Sequence, residues 1–424
     1  MRHAPYFLWM VMGSMSAMAQ PPRYQVTNLS SLGGTASSGN SLDDLGLITG
    51  ASNLGGDQIE HAALWFGEWK QDLGTLGGLN SAVIWPVKNN IGLFAGISQT
   101  TIPDPLSESW SCAAFLPTST GTTCVGFVWE WGHMRALPTL GGNNGFAAGA
   151  NNRRQITGWA ENTVRDPSCT NGQVLQFRPV IWGPDPKQVH ELPLPDGDSS
   201  GAATAINDRG QAVGISGICD QAVGRFSAIH ALLWQDGSVR DLGSLGGVAW
   251  NTPMAINHAG DVVGFANVPG GAGPGSLHEH AFLWTAASGM IDLQTLPGDV
   301  HSQALGINAR RQVVGVSCTA HFASCRPFLW QDGVMVDLNT LLAPGYADVL
   351  VAANDINDWG QITGQAYVAA TGALLAFRAD PQDAESTSSL EPQRSGAAGR
   401  TLLSERARQQ LLKQLRIGTA EHEE

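Results

Sequence analysis

Residues 246–267 read GGVAWNTPMAINHAGDVVGFAN, and the centre of this stretch decides the fold. Asn257 is followed three residues later by Gly260, and an apolar run lies on each side of the pair. An Asn side chain can bond its own backbone two residues further on, and Gly can take the positive φ that the chain needs to re-enter a strand. The stretch therefore predicts a hairpin of two short strands.

The same hairpin recurs along the chain. Seven apolar runs end in a glycine, at Gly50, Gly96, Gly158, Gly214, Gly264, Gly315 and Gly364. Seven residues before each glycine stands a turn residue: Asp43, Asn89, Asn151, Asn207, Asn257, Asn308 and Asn357. The fourth turn position holds Gly46, Gly92, Arg154, Gly210, Gly260, Arg311 and Gly360. Arg154 and Arg311 depart from glycine, so we expect those two turns to be strained or differently shaped.

Two further strands follow each hairpin. The third ends in a tryptophan in six units: Trp65, Trp129, Trp182, Trp234, Trp284 and Trp330. The fourth leads to an acidic residue that is followed by leucine, and in some units by Leu-Gly: Asp72, Glu191, Asp241, Asp292 and Asp337. Four strands, here named a to d, in each unit of roughly 50 residues are typical of a β-propeller blade. We therefore predict an all-β, seven-bladed propeller.

The two ends of the repeat array complement each other. The last unit stops after strand c, near Arg378, whereas residues 24–34 align with the strand d of residues 334–341. An N-terminal strand d that completes the last blade would close the ring as one strand plus three and remove an exposed edge. An open β solenoid is the alternative, but solenoids need terminal caps rather than complementary ends.

The recurring phrases resemble a known family. They include HAFLW at 280–284, DLGTLGG at 72–78 and AIN before a QVVG-like run. They are similar to the HAF-repeat family of extracellular repeat proteins, and the resemblance extends from about residue 24 to about residue 379. It implies export and a repeat fold, and it brings no established activity and no functional residues.

Composition limits the partners. The 424 residues include 23 basic and 36 acidic ones, a net charge of −13, which disfavours nucleic acid and anionic lipid. Only 14% are charged, and the 52 glycines and 22 prolines suit many short strands and turns.

Four segments are expected along the chain. Residues 1–19 carry Arg2 and His3, an apolar run and Ala17-Met18-Ala19, as in a secretory signal peptide. Residues 20–380 form the propeller, 381–400 a disordered linker, and 401–424 a tail with a short amphipathic helix that docks on a partner or the ring, or frays. We expect a secreted protein, extracellular or periplasmic, with no membrane-spanning segment after signal cleavage.

The cysteine count favours disulfides in an exported chain. Cys112 with Cys124, and Cys318 with Cys325, are close in sequence, which leaves Cys169 with Cys219. All six lie between strands b and c, as do the long insertions, so one face should be rich in loops. Either this is a binding face, or long loops simply need cross-links wherever they occur.

Several residues of this face are candidate ligand contacts. The d–a loops bring Asn144, Trp250 and His301 to matching positions, with Phe146 nearby. Trp250 could stack on a sugar or cover a blade junction. Asp198, Asp299 and Asp348 also match, and could hold a cation such as Ca²⁺ or be solvated loop acids.

Two repeated residue types have structural interpretations instead. The tryptophans that end strand c recur once per unit, which indicates packing between blades. His61, His230 and His280 begin strand c and are replaced elsewhere by Arg178 and Arg326. We expect them to share a hydrogen-bonding role rather than to bind metal.

No catalytic motif is recognisable: the chain lacks a nucleophile elbow, a zinc-protease helix and a phosphate loop. Two residues before the turn Asn stand Gly149, Ala205, Ala255 and Gly306, which supply no acid or base; Asp355 is the exception. The favoured function is therefore a binding or scaffolding module for an extracellular protein or glycan. The alternatives are a polysaccharide-acting lyase or hydrolase with its site at the propeller axis, and a surface protein without a discrete ligand.

Overall fold

A computed structural model describes residues 22–169, 172–219, 228–247, 250–270 and 278–382, together with 403, 405, 407–409 and 411. The signal segment predicted at 1–19 lies outside these residues, and so does the predicted linker except for its first two residues.

The described residues form 28 strands, which we group in seven sets. The first strand is β1 (Arg23–Asn28). Set 1 has β2 (Gly33–Leu42), β3 (Ile48–Leu54), β4 (Glu60–Phe66) and β5 (Trp69–Asp72). Set 2 has β6 (Gly77–Ala82), β7 (Phe94–Pro103), β8 (Thr122–Glu130) and β9 (His133–Ala136), and set 3 has β10 (Gly145–Ala150), β11 (Ile156–Arg165), β12 (Leu175–Trp182) and β13 (Val189–Glu191).

The remaining sets follow the same order. Set 4 has β14 (Ser200–Ile206), β15 (Ala212–Gly217), β16 (His230–Gln235) and β17 (Ser238–Asp241), and set 5 has β18 (Thr252–Ile256), β19 (Val262–Asn267), β20 (Glu279–Thr285) and β21 (Gly289–Gln294). Set 6 has β22 (His301–Ile307), β23 (Val313–Cys318), β24 (Cys325–Gln331) and β25 (Val334–Asp337), and set 7 has β26 (Val349–Ile356), β27 (Ile362–Val368) and β28 (Ala373–Gln382). The short helices are α1 (Trp110–Ala113) and the 3-10 turns Ala320–Phe322 and Leu338–Leu341.

Sheet pairing confirms the all-β propeller fold. Sets 2 to 6 are separate four-stranded antiparallel sheets, and the other eight strands form one sheet. That sheet divides into sets 1 and 7 at a single parallel pairing, between Ala36 and Leu374. β1 pairs antiparallel with β28 from Arg23 opposite Gln382 to Asn28 opposite Phe377. The N-terminal strand therefore completes set 7, as the sequence predicts.

The strand order gives the ring two different faces. The first strands of consecutive sets contact one another, for example β14 with β18 and β26 with β2, so strand a lines the axis. The b–c and d–a connections open on one side, which we call the loop face. The a–b and c–d turns open on the other side, which we call the turn face.

Close approach of strand a explains the repeated glycine. A Cβ atom on Gly264 would lie 2.0 Å from the carbonyl oxygen of Thr252, and one on Gly50 would lie 1.8 Å from that of Ser38. Strand a is bulged beside this contact, as between Pro253 and Ala255. Because no real Cβ fits at such distances, the repeat needs glycine there.

The turns adopt the predicted geometry. The side-chain oxygen of Asn207 accepts hydrogen bonds from the backbone nitrogens of Arg209 and Gln211, at 3.0 and 3.1 Å. Arg154 and Arg311 take φ values of 61° and 58°, in the left-handed region where the other five turns place glycine. Those two turns therefore keep the common shape at a conformational cost.

The turn asparagines also link one set to the next around the axis. In five junctions the side-chain amide donates to the backbone carbonyl of the next turn residue, at 2.9–3.2 Å: Asn151 to Asn207, Asn207 to Asn257, Asn257 to Asn308, Asn308 to Asn357, and Asn357 to Asp43. We call these bonds the asparagine belt. Asp43 cannot donate, and the amide of Asn89 bonds Leu93 instead, so the belt is open at sets 1 and 2.

The repeated tryptophans pack as predicted. All six are at most 9% exposed. The indole nitrogens of Trp65, Trp182 and Trp234 donate to carbonyls in the connection that follows strand d of the preceding set, at 2.6–2.9 Å. The six tryptophans thus fill the core between neighbouring sets, and these three also bond across a junction.

The histidines of strand c have the predicted hydrogen-bonding role. Nδ1 of His61 and of His230 lies 2.9 and 2.7 Å from the strand d carboxylates of Asp72 and Asp241. The hydrogen bond to Asp72 raises the pKa of His61, against burial, which lowers it. His280 pairs likewise with Asp292, and Arg178 and Arg326 take the same place against Glu191 and Asp337.

Candidate functional site

Three disulfides cross-link the loop face, in the pairing that the sequence predicts. They join Cys112 to Cys124, Cys169 to Cys219, and Cys318 to Cys325, with Cα–Cα distances of 5.5, 4.5 and 4.1 Å. The second joins set 3 to set 4, whereas the other two close loops inside one set. The loop face is therefore held by covalent bonds that the turn face lacks among the described residues.

A cavity of about 180 Å³ lies within the ring. Most of the residues that line it lie towards the loop face. We call it the axial cavity. Its apolar wall consists of Ala36, Ala51, Ile84, Trp85, Pro86, Ala114, Phe115, Pro117, Trp250, Met254, Phe265 and Leu305. Its polar wall consists of Ser37, Asn40, Asn53, Asp57, Glu60, Thr252, Gln303, Asn354 and Gln365. An apolar concavity with a few polar groups is the usual form of a ligand pocket.

Two of the polar groups have no hydrogen-bond partner among the residues that the structure describes. They are the hydroxyl of Thr252 and the side-chain oxygen of Gln365, and both are buried. The amide nitrogen of Gln365 donates to the carbonyl of Ser37 at 3.1 Å, which fixes the side chain. By contrast, Asn354 donates to the side-chain oxygen of Asn40 at 2.9 Å. Thr252 and Gln365 thus each bring a buried polar atom with unused hydrogen-bonding capacity to the described part of the cavity wall.

Gln365 can be recognised in the sequence by its position in the repeat, although it belongs to no catalytic or binding motif. It directly follows the repeated glycine, and the same position holds Ala51, Ile97, Trp159, Ile215, Phe265 and Val316 in the other sets. A single amide among six apolar residues at a core position marks a polar point in the cavity wall. Thr252 shows no comparable departure from its counterparts.

Phe115 reaches the cavity from an insertion between β7 and β8, residues 104–121. Its ring stacks on Phe146 at 4.6 Å and meets Trp85 edge-on at 6.4 Å. The insertion is anchored by Glu108, which accepts backbone hydrogen bonds from Val174 and Leu175 of set 3, at 2.9 and 2.7 Å. An insertion of one set therefore completes the wall by docking on the next set.

A second buried carboxylate faces Glu108. Glu161 is fully buried, and the amide nitrogen of Gln173 lies 2.9 Å from Glu161 and 3.3 Å from Glu108. Burial, together with the charge of Glu108, raises the pKa of Glu161 to about 7. Glu161 thus titrates near neutral pH at the anchor of the insertion.

The predicted ligand contacts separate. Trp250 lines the axial cavity, packed edge-on against Phe265 at 5.3 Å. Asn144 is fully buried and donates to Asp104 at 2.8 Å, while Phe146 is fully buried in the aromatic cluster. His301 is 8% exposed, with Nδ1 2.9 Å from Glu279. The structure thus places only Trp250 at the cavity; Asn144, Phe146 and His301 have structural contacts instead.

The three predicted cation ligands do not come together. Asp198 accepts from Ser216, Asp299 from Arg326 at 2.7 Å, and Asp348 from Asn28 at 2.7 Å, each within its own set. Across the described residues, no three His, Cys, Asp or Glu side chains are grouped so as to hold a metal ion. The three-aspartate site is therefore wrong, because matching repeat positions lie in different sets and each side chain bonds locally.

Asp355, the acid among the small inner residues, belongs to an ion pair. Its carboxylate is fully buried, lies 2.5 Å from Nζ of Lys88, and accepts from the backbone nitrogen of Leu42 at 2.8 Å. Burial raises its pKa, and Lys88 opposes the shift. The small neighbours have a steric reason: a Cβ on Gly306 would lie 2.8 Å from the Cα of Asp355.

Within the described part of the chain, no helix has the length and apolar character to cross a membrane.

Comparison with known proteins identifies no family for this chain. No protein-family model and no curated protein matches this chain. Similar solved structures include the β-propeller domain of the Trilobed protease from Pyrococcus furiosus, with 10% identity, a TM-score of 0.44, and coverage of 92% of this chain and 97% of that one. Another is an oligogalacturonate lyase from Vibrio parahaemolyticus, with 10% identity, a TM-score of 0.45, and coverage of 86% and 92%. A sialidase from Trypanosoma rangeli has 9% identity, a TM-score of 0.38, and coverage of 86% and 58%.

Proposed function

We propose that this protein is a secreted binding module that takes an extracellular glycan or protein ligand into the axial cavity. The observation that carries the proposal is the pair of buried polar groups, on Thr252 and Gln365, that have no partner among the described residues and lie in a cavity whose wall is mostly aromatic and aliphatic. An unpaired buried polar group costs about 1–3 kcal/mol, so a ligand that bonds both groups recovers this free energy on binding. The matching ligand group has an apolar face for Trp85 and Trp250 and polar atoms at its edge, as a sugar ring or an amphipathic protein side chain has.

Export is part of the same proposal. The three disulfides fit a protein that matures outside the reducing cytoplasm. Residues 1–19 have the pattern of a secretory signal, and the recurring HAFLW and DLGTLGG phrases resemble those of extracellular HAF-repeat proteins. The protein would then act in the periplasm or outside the cell.

The test is a binding screen with the full mature chain in oxidising buffer, on a glycan array and by capture from cell-surface extract. Any ligand found is then titrated against Thr252→Val and Gln365→Ile, the second of which restores an aliphatic residue used in another set. We expect each variant to weaken binding about tenfold, the effect of roughly 1.4 kcal/mol.

Thr204→Val is the matched control. Thr204 lies on strand a of the neighbouring set, bonds the carbonyl of Pro253 at 2.8 Å, and is not part of the cavity wall. The Thr204→Val variant should be less stable than the wild type but should bind the ligand with unchanged affinity. A ligand that binds both cavity variants as tightly as the wild type, or a screen without any ligand, would contradict the proposal.

The same binding samples also test the alternative that the protein is a polysaccharide-acting lyase or hydrolase. Asp57 and Glu60 are the two carboxylates in the cavity wall. Asp57 accepts bonds from the backbone and hydroxyl of Thr35, at 2.7 and 2.9 Å, which suits a fixed structural role. Bound polysaccharide should be recovered uncut; shortened or unsaturated products that disappear in Glu60→Gln would favour a lyase or hydrolase.

A further inference from the structure

The C-terminal tail contributes buried side chains to the loop face. Glu405, residues 407–409 and Leu411 are helical. Ala407 and Leu411 are each 1% exposed, Leu403 is half-buried, and Glu405 and Gln409 are exposed. Since 407 and 411 are four residues apart, they share one helix face, which is the buried one.

These side chains pack in the same apolar cluster as the axial cavity wall. Ala407 and Leu411 belong to one contiguous cluster that also contains Trp85, Phe115 and Trp250. The cluster includes residues of strand a or strand b of every set, and all six cysteines belong to it or pack against it. The helix therefore docks at the loop-face end of the axis rather than on an outer strand.

The last strand ends on the opposite face of the ring. A Cβ on Gly360, in the a–b turn of set 7, would lie 3.8 Å from Pro381, and the side chain of Gln361 bonds Asp380 at 2.6 Å. The chain thus leaves the ring on the turn face. The 20 residues from 383 to 402 can span at most about 70 Å, enough to return past the ring to the loop face.

Charge favours the same docking. Residues 401–417 contain four basic residues and one acidic residue, whereas the whole chain carries a net charge of −13. Asp57 and Glu60 stand in the cavity wall. A basic amphipathic helix therefore meets an acidic ring at an apolar seat.

We propose that the C-terminal helix is a built-in cover of the axial cavity, which a ligand must displace to bind. The proposal rests on the function proposed above and adds its regulation. The apparent affinity for the ligand is the intrinsic affinity multiplied by the fraction of molecules in which the helix is not docked. Release of the tail, by a competing partner or by cleavage of the segment before residue 403, would then activate the site.

The test uses the full chain with Leu411→Glu, which places a charge in the buried seat, and Gln409→Glu as the control. The control adds the same charge to the same helix at an exposed position. Nile red, a neutral apolar dye, reports exposure of the cavity wall, and limited trypsin digestion reports release of the tail. We expect Leu411→Glu to raise dye fluorescence several-fold and to speed tail cleavage at least tenfold, with an unchanged melting temperature of the ring.

The results separate this proposal from the binding function. Equal tail cleavage in the wild type and Leu411→Glu would show that the helix does not dock, and fast cleavage with unchanged dye fluorescence would show that it does not cover the cavity. Should Leu411→Glu lower the melting temperature, Ala407→Glu serves as the second variant with the same expected result. Because Nile red needs no natural ligand, a dye response without any hit in the ligand screen would overturn the binding function and leave the cover standing.

Discussion

Asp43 shows how the replacement of one amide by a carboxylate interrupts the asparagine belt. It occupies the turn position that holds asparagine in the other six sets, and its second carboxylate oxygen is buried with no partner in the described part of the chain. Burial raises the pKa of Asp43 to about 6, from 3.8. A carboxyl group whose pKa is raised by folding stabilises the fold fully only below pH 3.8, and this contribution is lost as the pH rises through 6.

Asp43→Asn should therefore stabilise the protein more at high pH than at low pH. The amide keeps the oxygen that accepts from Leu45 and Leu47 and gains a donor that can extend the asparagine belt. We expect a gain in melting temperature of a few degrees at pH 8 and little change at pH 4, measured by circular dichroism. Asp236→Asn, which makes the same charge change at an exposed turn, is the control and should show no such difference. An equal gain at both pH values would contradict the burial argument.

The repeated glycine gives a second residue-scale prediction. Gly264→Ala places a methyl group 2.0 Å from a carbonyl oxygen, and overpacking of this kind costs about 3 kcal/mol or more. Gly55→Ala is the control, because nothing lies within 4 Å of its Cβ position and its φ is not positive. Chemical denaturation should show a large loss for the first and a change below about 1 kcal/mol for the second. A small loss for Gly264→Ala would mean that strand a is not held against strand b as described.

At the scale of elements, the docked insertion should make the loop face sensitive to pH. Folding raises the pKa of Glu161 from 4.5 to about 7, chiefly by burial. Protonated Glu161 therefore stabilises the fold fully below pH 4.5, and this stabilisation is lost as the pH rises through 7. The free energy of unfolding should fall over this range, and Glu161→Gln should flatten the fall. Urea unfolding at pH 5 and pH 8 measures this, with the exposed Glu68→Gln as control. A wild-type profile that is flat, or that rises between these pH values, would show that Glu161 is not the controlling group.

What repeats was predictable from the sequence, and what occurs once was not. Strand order, the turn geometry, the tryptophan junctions and the histidine–acid pairs follow from residues that recur at fixed spacing. Phe115, Glu108 and Lys88 have no counterparts in other sets, because an insertion or a chance neighbour across the axis places them. The three aspartates were misjudged for the converse reason: a shared repeat position puts side chains in equivalent places in different sets, not next to one another.

At the scale of the whole molecule, closure by β1 keeps the axial cavity enclosed. Sets 1 and 7 share a single backbone pairing, whereas β1 and β28 share six. Tyr24 of β1 is fully buried, and it packs with Leu350 and Phe377 of set 7. The ring is therefore closed by a strand from the far end of the chain, β1, together with direct hydrogen bonds between sets 1 and 7, such as those of Asn354 and Asn357.

The measurement that tests this account most directly is a cross-link across that closure. Thr27 and Arg378 are opposite each other in the β1–β28 register, and antiparallel partners have the Cα spacing that a disulfide needs. All six native cysteines are already paired, so two introduced cysteines have only each other. Thr27→Cys combined with Arg378→Cys should form one intramolecular disulfide in nearly all monomers, found by mass spectrometry, whereas Thr27→Cys with Ser238→Cys should form none. Free thiols in the first pair, or a disulfide only between two chains, would show that β1 does not close its own ring. Such a result would contradict the description of the axial cavity as enclosed by a closed ring.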